Sequence, residues 1–301
     1  MHRRIAGFII FRIAIFRYIR ILILSGKISR TSTITFINAR ALGLRAYLRK
    51  TWSFRSLFLL FFKRDLRIRY AQAFLGIGWA LLQPLTGLLV FSVFFGRLIR
   101  VDTGGVPYPL FAFTGMVSWF FFSQILTSAG QSLLEGQHLI RKVYFPRLVL
   151  PLSKVLTASV ELLISILLLF ILLLIYRRPL HWPVLILPVA IVCNVLTALS
   201  VAVWLCALTV RHRDFHHIIP YLANLGIWLT PVFYPATLLP PDYQWVLYWN
   251  PMAATIAMFR WALTGTPMSP YYWISFVPVL VLLLGGLNYF RKIENKIAEN
   301  L

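Results

Sequence analysis

Acidic residues are what this sequence has least of: across 301 residues, eight Asp and Glu stand against 30 Lys and Arg, a formal net charge of +22. So few carboxylates leave little material for the acidic clusters that membrane-bound acid–base or metal chemistry uses. Cysteine is scarcer still. Cys193 and Cys206 lie in one long apolar stretch without a CxxC pair or a zinc spacing, and are expected as buried apolar fillers in reduced form. Polar surface is short as well: 59% of the residues are hydrophobic and 13% charged, more apolar side chain than a water-soluble surface can hide. The chain needs lipid as a solvent.

The placement of the basic residues says more than their sum. Sixteen of the 30 fall in residues 1–69, where Asp65 is the sole acidic residue. In a membrane protein that bias fits the positive-inside rule and contact with anionic lipid heads, and nucleic acid is not an expected partner. A secretory signal is not expected either: Arg12, Arg17 and Arg20 interrupt the first apolar run, and no small-residue cleavage site follows it.

Crossing about 30 Å of hydrocarbon takes about 20 apolar residues. Windows of that length predict six transmembrane helices: Phe74 to Phe95, Tyr108 to Ala129, Val149 to Tyr176, Val184 to Val210, Ile218 to Tyr234 and Tyr272 to Phe290. The expected fold is therefore an all-α integral membrane protein. Lys63, Arg64, Arg67, Arg69, Arg141, Lys142, Arg147, Arg211, Arg213, Arg291, Lys292 and Lys296 flank the spans on one side. Arg97, Arg100, Arg177, Arg178 and Arg260 flank them on the other. The more basic side is expected to be the cytoplasm, with both termini there.

Three segments outside the spans are distinctive. Residues 235–271 carry Tyr243, Trp245, Tyr248, Trp249, Met252, Met258, Phe259 and Trp261, with Pro240, Pro241, Pro251 and Gly265 between them. That predicts short interfacial or re-entrant helices on the outer side, or an aromatic belt. Residues 53–70 place Leu57, Phe58, Phe61 and Phe62 on one helical stripe and Lys63, Arg64 and Arg67, beside Asp65, toward another: an amphipathic interface helix, apolar face in lipid. Residues 132–146, SLLEGQHLIRKVYFP, mix both charge signs around Gly136 and end at Tyr144, Phe145 and Pro146. They read as a short projecting helix or as a solvated connection whose basic residues anchor the topology.

Two charges fall within an apolar run. Lys154 and Glu161, seven residues apart, share one face of the third span, where each needs a partner or water. His212, Asp214, His216 and His217 cluster before the fifth span, yet no third ligand or HExxH carboxylate accompanies them, and no metal is expected.

Four ordered stretches carry a family resemblance: RDLRIRYAQAFLGIGWALLQPL (64–85), EGQHLIRKVYFPRLVLP (135–151), VRHRDFHHIIPYLANLGIWLTPVFYP (210–235) and WNPMAA (249–254). They resemble the permeases of ABC type-2 exporters for O-antigen, capsule and teichoic acid, from about residue 52 to the C-terminus. The resemblance implies a homodimer in the bacterial inner membrane, paired with two copies of a separate ATPase chain that binds ATP and Mg. No phosphate loop of the form GxxxxGKS or GxxxxGKT occurs in this sequence, which fits hydrolysis elsewhere. It also implies that residues 132–145, through Glu135, Gln137, His138, Arg141, Lys142, Tyr144 and Phe145, form a coupling helix seated in the ATPase. The helix 53–70, with Lys63, Arg64, Asp65 and Arg67, would flank it.

The implied substrate is a polysaccharide or lipid-linked glycan, moving along the dimer interface. Trp79, Phe91, Phe94 and Phe95, then Trp119 and Phe122, then Trp228, Phe233 and Tyr234 offer ring faces to sugar C–H surfaces, although aromatics at helical spacing also serve packing. Residues 1–50 fall outside the resemblance and form a basic extension: 5–24 read as a surface-lying helix, 25–40 as a mobile linker. Two other classes stay open, a lipid-linked glycosyltransferase and a secondary transporter. The outer loops offer the first Asp102 and Asp242 without a DxD pair, and internal repeats for the second are not evident.

Overall fold

Apolar runs punctuated by proline and glycine become helices whose ends follow from local chemistry. The computed structural model describes residues 43–70, 78–212 and 214–300, all within a unit of residues 42–301, and excludes the side chains of Trp79, Ala80, Gln83 and 295–300. Residues 1–42, the greater part of the expected basic extension, thus lie outside the described residues. Eleven α-helices follow in order: α1 (Leu44–Ser53), α2 (Arg55–Tyr70), α3 (Gly78–Phe91), α4 (Tyr108–Glu135), α5 (Gln137–Ile140), α6 (Val149–Ile175), α7 (Leu187–Arg211), α8 (Phe215–Leu229), α9 (Gln244–Tyr248), α10 (Pro251–Thr264) and α11 (Phe276–Asn300). The described residues contain no strand.

Among them, four helical stretches are long and apolar enough to cross a membrane: Tyr108–Glu135, Val149–Ile175, Trp182–Arg211 and Pro270–Glu294. They correspond to the second, third, fourth and sixth expected spans. The first and fifth are built differently. α3 passes into a seven-residue π-helix, Ser92–Leu98, whose wider turns re-aim Phe94 and Phe95. α8 has 15 residues, about 22 Å at 1.5 Å per residue, short of a hydrocarbon core of about 30 Å. It stops because Thr230 precedes Pro231 and adopts an extended backbone, φ −107°.

α4 is the central helix. It packs against α3, α6, α7, α8 and α10, and Leu110, Phe113, Met116, Ile125 and Ala129 have no exposed surface. A polar clamp fixes its register against α7: the Asn194 amide nitrogen, wholly buried, donates to the Ser118 carbonyl at 2.9 Å and its hydroxyl at 3.0 Å. Gly115 allows a close backbone approach on this helix, since a Cβ there would lie 2.7 Å from the Val232 carbonyl oxygen. α6 meets α4 on one side and turns Leu163, Leu167, Ile171 and Leu174 outward at helical spacing, an apolar stripe suited to lipid.

The aromatic connection 235–271 divides into two parts. Tyr243, Trp245 and Trp249, in and beside α9, are exposed, as an aromatic belt requires. α10 is a core helix instead, packed on α4 and α7, with Ala253, Ala254, Ile256, Met258 and Phe259 at most 1% exposed. Its ends are closed by sequence: the Asn250 side-chain Oδ1 accepts from Met252 N and Ala253 N, Pro251 takes the first position, and Gly265 ends the helix at φ +74°.

Candidate functional site

Most of the described carboxylates converge where α2, the 132–147 segment, α6 and α11 meet. Lys154 of α6, about nine-tenths buried, places its ammonium 2.7 Å from Glu135 Oε2 and 2.9 Å from Asp65 Oδ2. Asp65 also accepts from Arg64 Nε at 2.9 Å and Nη2 at 2.8 Å. Two cations and two carboxylates balance, which offsets the desolvation that a lone buried charge would cost. A second rung lies farther along both helices: Arg69 Nε is 2.8 Å from Glu161 Oε1, and Tyr70 donates its hydroxyl to the same oxygen at 2.9 Å. Burial first, and then the Glu161 carboxylate, push the Tyr70 phenol up to about 12, so it remains a donor at neutral pH.

These rungs have a periodic origin. Asp65 and Arg69 are one helical turn apart on α2, and Lys154 and Glu161 are two turns apart on α6, so each pair presents its charges on one face. Phe61 extends the same face of α2 and packs its ring, tilted by 53°, 5.7 Å from that of Phe145, both buried. Part of the expected lipid-facing stripe therefore packs on protein, while Lys63 and Arg67 stay exposed. Beyond Phe145, Arg147 donates its backbone N–H to Glu294 Oε1 of α11 at 2.7 Å. Burial, followed by Glu294, pushes the Tyr47 phenol of α1 upward.

Between the roots at Glu135 and Phe145 the chain projects. α5 leaves Gln137 half-buried, while His138, Arg141, Lys142 and Tyr144 are exposed. Lys50 of α1 steadies the tip, donating to the Tyr144 hydroxyl at 3.0 Å and lying 4.9 Å above its ring. Four of the seven residues expected at a coupling contact thus lie exposed at the tip. Glu135 and Phe145 instead tie the segment to the rest of the protein.

A second cluster joins the π-helix, the start of α4 and the turn after α8. Phe91 stacks on Phe233 with centroids 3.6 Å apart and planes at 15°. Phe95 lies 6.2 Å from Phe233 and 6.4 Å from Tyr108, and Trp228 lies 5.6 Å from Phe233. Two donors hold the turn itself: the Tyr108 hydroxyl to the Phe233 carbonyl at 3.0 Å, and Arg260 Nη2 to the Val232 carbonyl at 2.7 Å. The Arg260 guanidinium lies 3.6 Å from the centre of the Phe111 ring, a cation–π contact. Tyr234 donates to the Trp228 carbonyl at 3.2 Å.

The expected path aromatics thus separate. Phe94 and Trp228 are more than half exposed, and Phe91 and Phe95 belong to the stack. Trp119 and Phe122 are buried in the core with their rings 5.3 Å apart. The Trp79 side chain lies outside the described residues. Arg260 was expected beside a span on the outer side; its burial on α10 follows from Met252, Ile256 and Phe259, whose spacing of three and four could have marked a core face. Among the described residues no three His, Cys, Asp or Glu side chains come together as a metal site; the rings of His216 and His217 meet edge to face at 5.1 Å.

Known proteins with similar sequences cover this whole region. The ABC-2 type transporter family model matches residues 56–264. The O-antigen export system permease protein RfbA of Klebsiella pneumoniae is 28% identical over 242 residues, 79% of this chain and 92% of that protein. RfbA of Myxococcus xanthus is 29% identical over 215 residues, 70% of this chain and 82% of the relative. The polysialic acid transport protein KpsM of Escherichia coli is 25% identical over 244 residues, 77% of this chain and 92% of KpsM. With the family match reaching from α2 to the end of α10, over more than half of its length, this chain belongs to the ABC-2 type transporter family.

Proposed function

We propose that this chain is the membrane-spanning subunit of an ATP-driven exporter that carries a polysaccharide or lipid-linked glycan out of the bacterial cytoplasm across the inner membrane. In this reading two copies form the pathway and two copies of a separate ATPase supply ATP hydrolysis with Mg. Each copy has six spans, with α3 and α8 completing the four long ones, and both termini are cytoplasmic. The substrate class rests on the relatives, which are named for O-antigen export and polysialic acid transport.

The projecting 137–144 segment carries the reading furthest. Its exposed tip offers His138, Arg141, Lys142 and Tyr144 to the ATPase, and its roots are fixed by the Lys154 ion pairs and by Phe145 on Phe61. Displacement of the tip then moves α2 and α6 together as a rigid body, because buried charge pairs tolerate little separation. At the other end, Phe94 and Trp228 present faces that hold sugars weakly, as a sliding polymer needs.

Deletion of the gene in its native host tests this reading. Export predicts that surface glycan disappears while lipid-linked glycan accumulates inside the cell, and that plasmid expression of the chain reverses both. Normal surface glycan, or loss of glycan synthesis itself, counts against export and favours the glycosyltransferase alternative.

A further inference from the structure

The second rung, Arg69 with Glu161, borders a cavity of about 230 Å³ bounded by α2, α3, α4 and α6. Its floor and walls are half polar in character: Ser123, Gln124 and Thr127 from α4 and Ser165 from α6 face it, beside Pro84, Phe120 and Leu162. Thr127 spends its proton on the Ser123 and Gln124 carbonyls, within its own helix. Gln124, Ser123 and Ser165 line the cavity with half-buried polar side chains. Glu161 lines the same cavity, and its contacts from Arg69 and from Tyr70 both fall on Oε1. Polar groups of this number, set in apolar helices, suit a polar occupant.

Depth identifies the occupant. The outward apolar stripe of α6 begins at Leu163, two residues past Glu161, and continues through Leu167, Ile171 and Leu174 to Ile175. Before it come Lys154 and its carboxylates. Glu161 and Arg69 therefore stand at the step from polar to apolar surface, the level of phospholipid headgroups against acyl chains.

We propose that this cavity is a headgroup site for an amine-bearing zwitterionic phospholipid of the phosphatidylethanolamine kind. Arg69, whose side chain is 43% exposed, takes the phosphate, and Glu161 takes the primary ammonium, with Gln124, Ser123 and Ser165 meeting the remaining polar atoms. A zwitterion matches a cation–anion pair charge for charge. An anionic headgroup would compete with Glu161 for Arg69 and bring it no cation in return, and a quaternary ammonium has no N–H to donate to it. The site is distinct from the aromatic cluster and from the projecting segment, so it stands whatever the exported substrate is.

The test uses the full chain purified in detergent and titrated separately with phosphatidylethanolamine, phosphatidylcholine and phosphatidylglycerol, with retained lipid counted by native mass spectrometry and stability followed by thermal melting. The site predicts at least about tenfold tighter retention of phosphatidylethanolamine than of phosphatidylcholine, the worth of one charge-assisted hydrogen bond. Glu161→Gln should erase that preference. Ser165→Leu, which fills the cavity and leaves the ion pair in place, should abolish retention without lowering the melting temperature of the lipid-free protein. Equal retention of all three lipids, stronger retention of phosphatidylglycerol, or retention unchanged by Ser165→Leu would each overturn the proposal.

Discussion

Lys154 on α6 lies 2.9 Å from Asp65 on α2, and the same ammonium lies 2.7 Å from Glu135 at the root of the projecting segment. One side chain thus joins three pieces of chain that are far apart in sequence. Replacing it leaves Asp65 paired with Arg64 alone and Glu135 with no cation among these contacts. Lys154→Met is expected to cost about 2 to 3 kcal/mol, under the range for a wholly buried pair because the Glu135 side chain is 48% exposed. Thermal melting of the purified variant checks the loss, and adding Asp65→Asn should recover part of it.

The turn after α8 gives a second prediction. A Cβ at Gly115 would lie 2.7 Å from the Val232 carbonyl oxygen and 3.1 Å from Arg260 Nη2, so Gly115→Ala must push the turn off its donor. The expected cost is about 1 to 3 kcal/mol. A melting curve indistinguishable from that of the unaltered chain would show that the turn yields freely.

Packing and path aromatics should separate under substitution. Phe233, 1% exposed, and Trp119, 4% exposed, are core residues, and Phe233→Ala or Trp119→Ala is expected to cost about 3 to 5 kcal/mol and to reduce the protein recovered. Phe94→Ala and Trp228→Ala remove rings that are 55% and 54% exposed. They should leave the amount of assembled protein unchanged while lowering surface glycan, read by membrane immunoblot alongside a glycan gel.

The long helices were legible because lipid imposes a single rule: about 20 apolar residues in a row. The ends observed at Tyr108, Val149 and Ile175 lie within a residue of those read from the sequence. The fifth span was read too long, since hydropathy ignores the extended backbone that Pro231 imposes on Thr230. Lys154 and Glu161 were legible as a shared face in need of partners, but the partners were not. Asp65, Arg69 and Glu135 come from other segments, and periodicity within one helix carries no record of its neighbours.

Arg260 shows the same limit from another side. A basic residue near a span normally reads as solvated, and here it is 7% exposed, held by a carbonyl and an aromatic face. Its role depends on α10 being a core helix. Arg260→Lys keeps the charge but loses the planar face on Phe111, and is expected to lower stability by about 1 to 2 kcal/mol. Differential scanning of Arg260→Lys against Arg260→Met separates the charge from the shape.

The projecting segment bears the central claim, and co-purification tests it most directly. The tagged chain is extracted from its native host in mild detergent, its companions are identified by mass spectrometry, and the eluate is assayed for ATP hydrolysis. The coupling account predicts a stoichiometric ATPase subunit that is retained by Phe94→Ala and lost when Arg141→Glu and Tyr144→Ala are combined, with the chain itself still recovered from the membrane. A chain recovered without any ATPase, or an ATPase whose binding ignores those two substitutions, would contradict it.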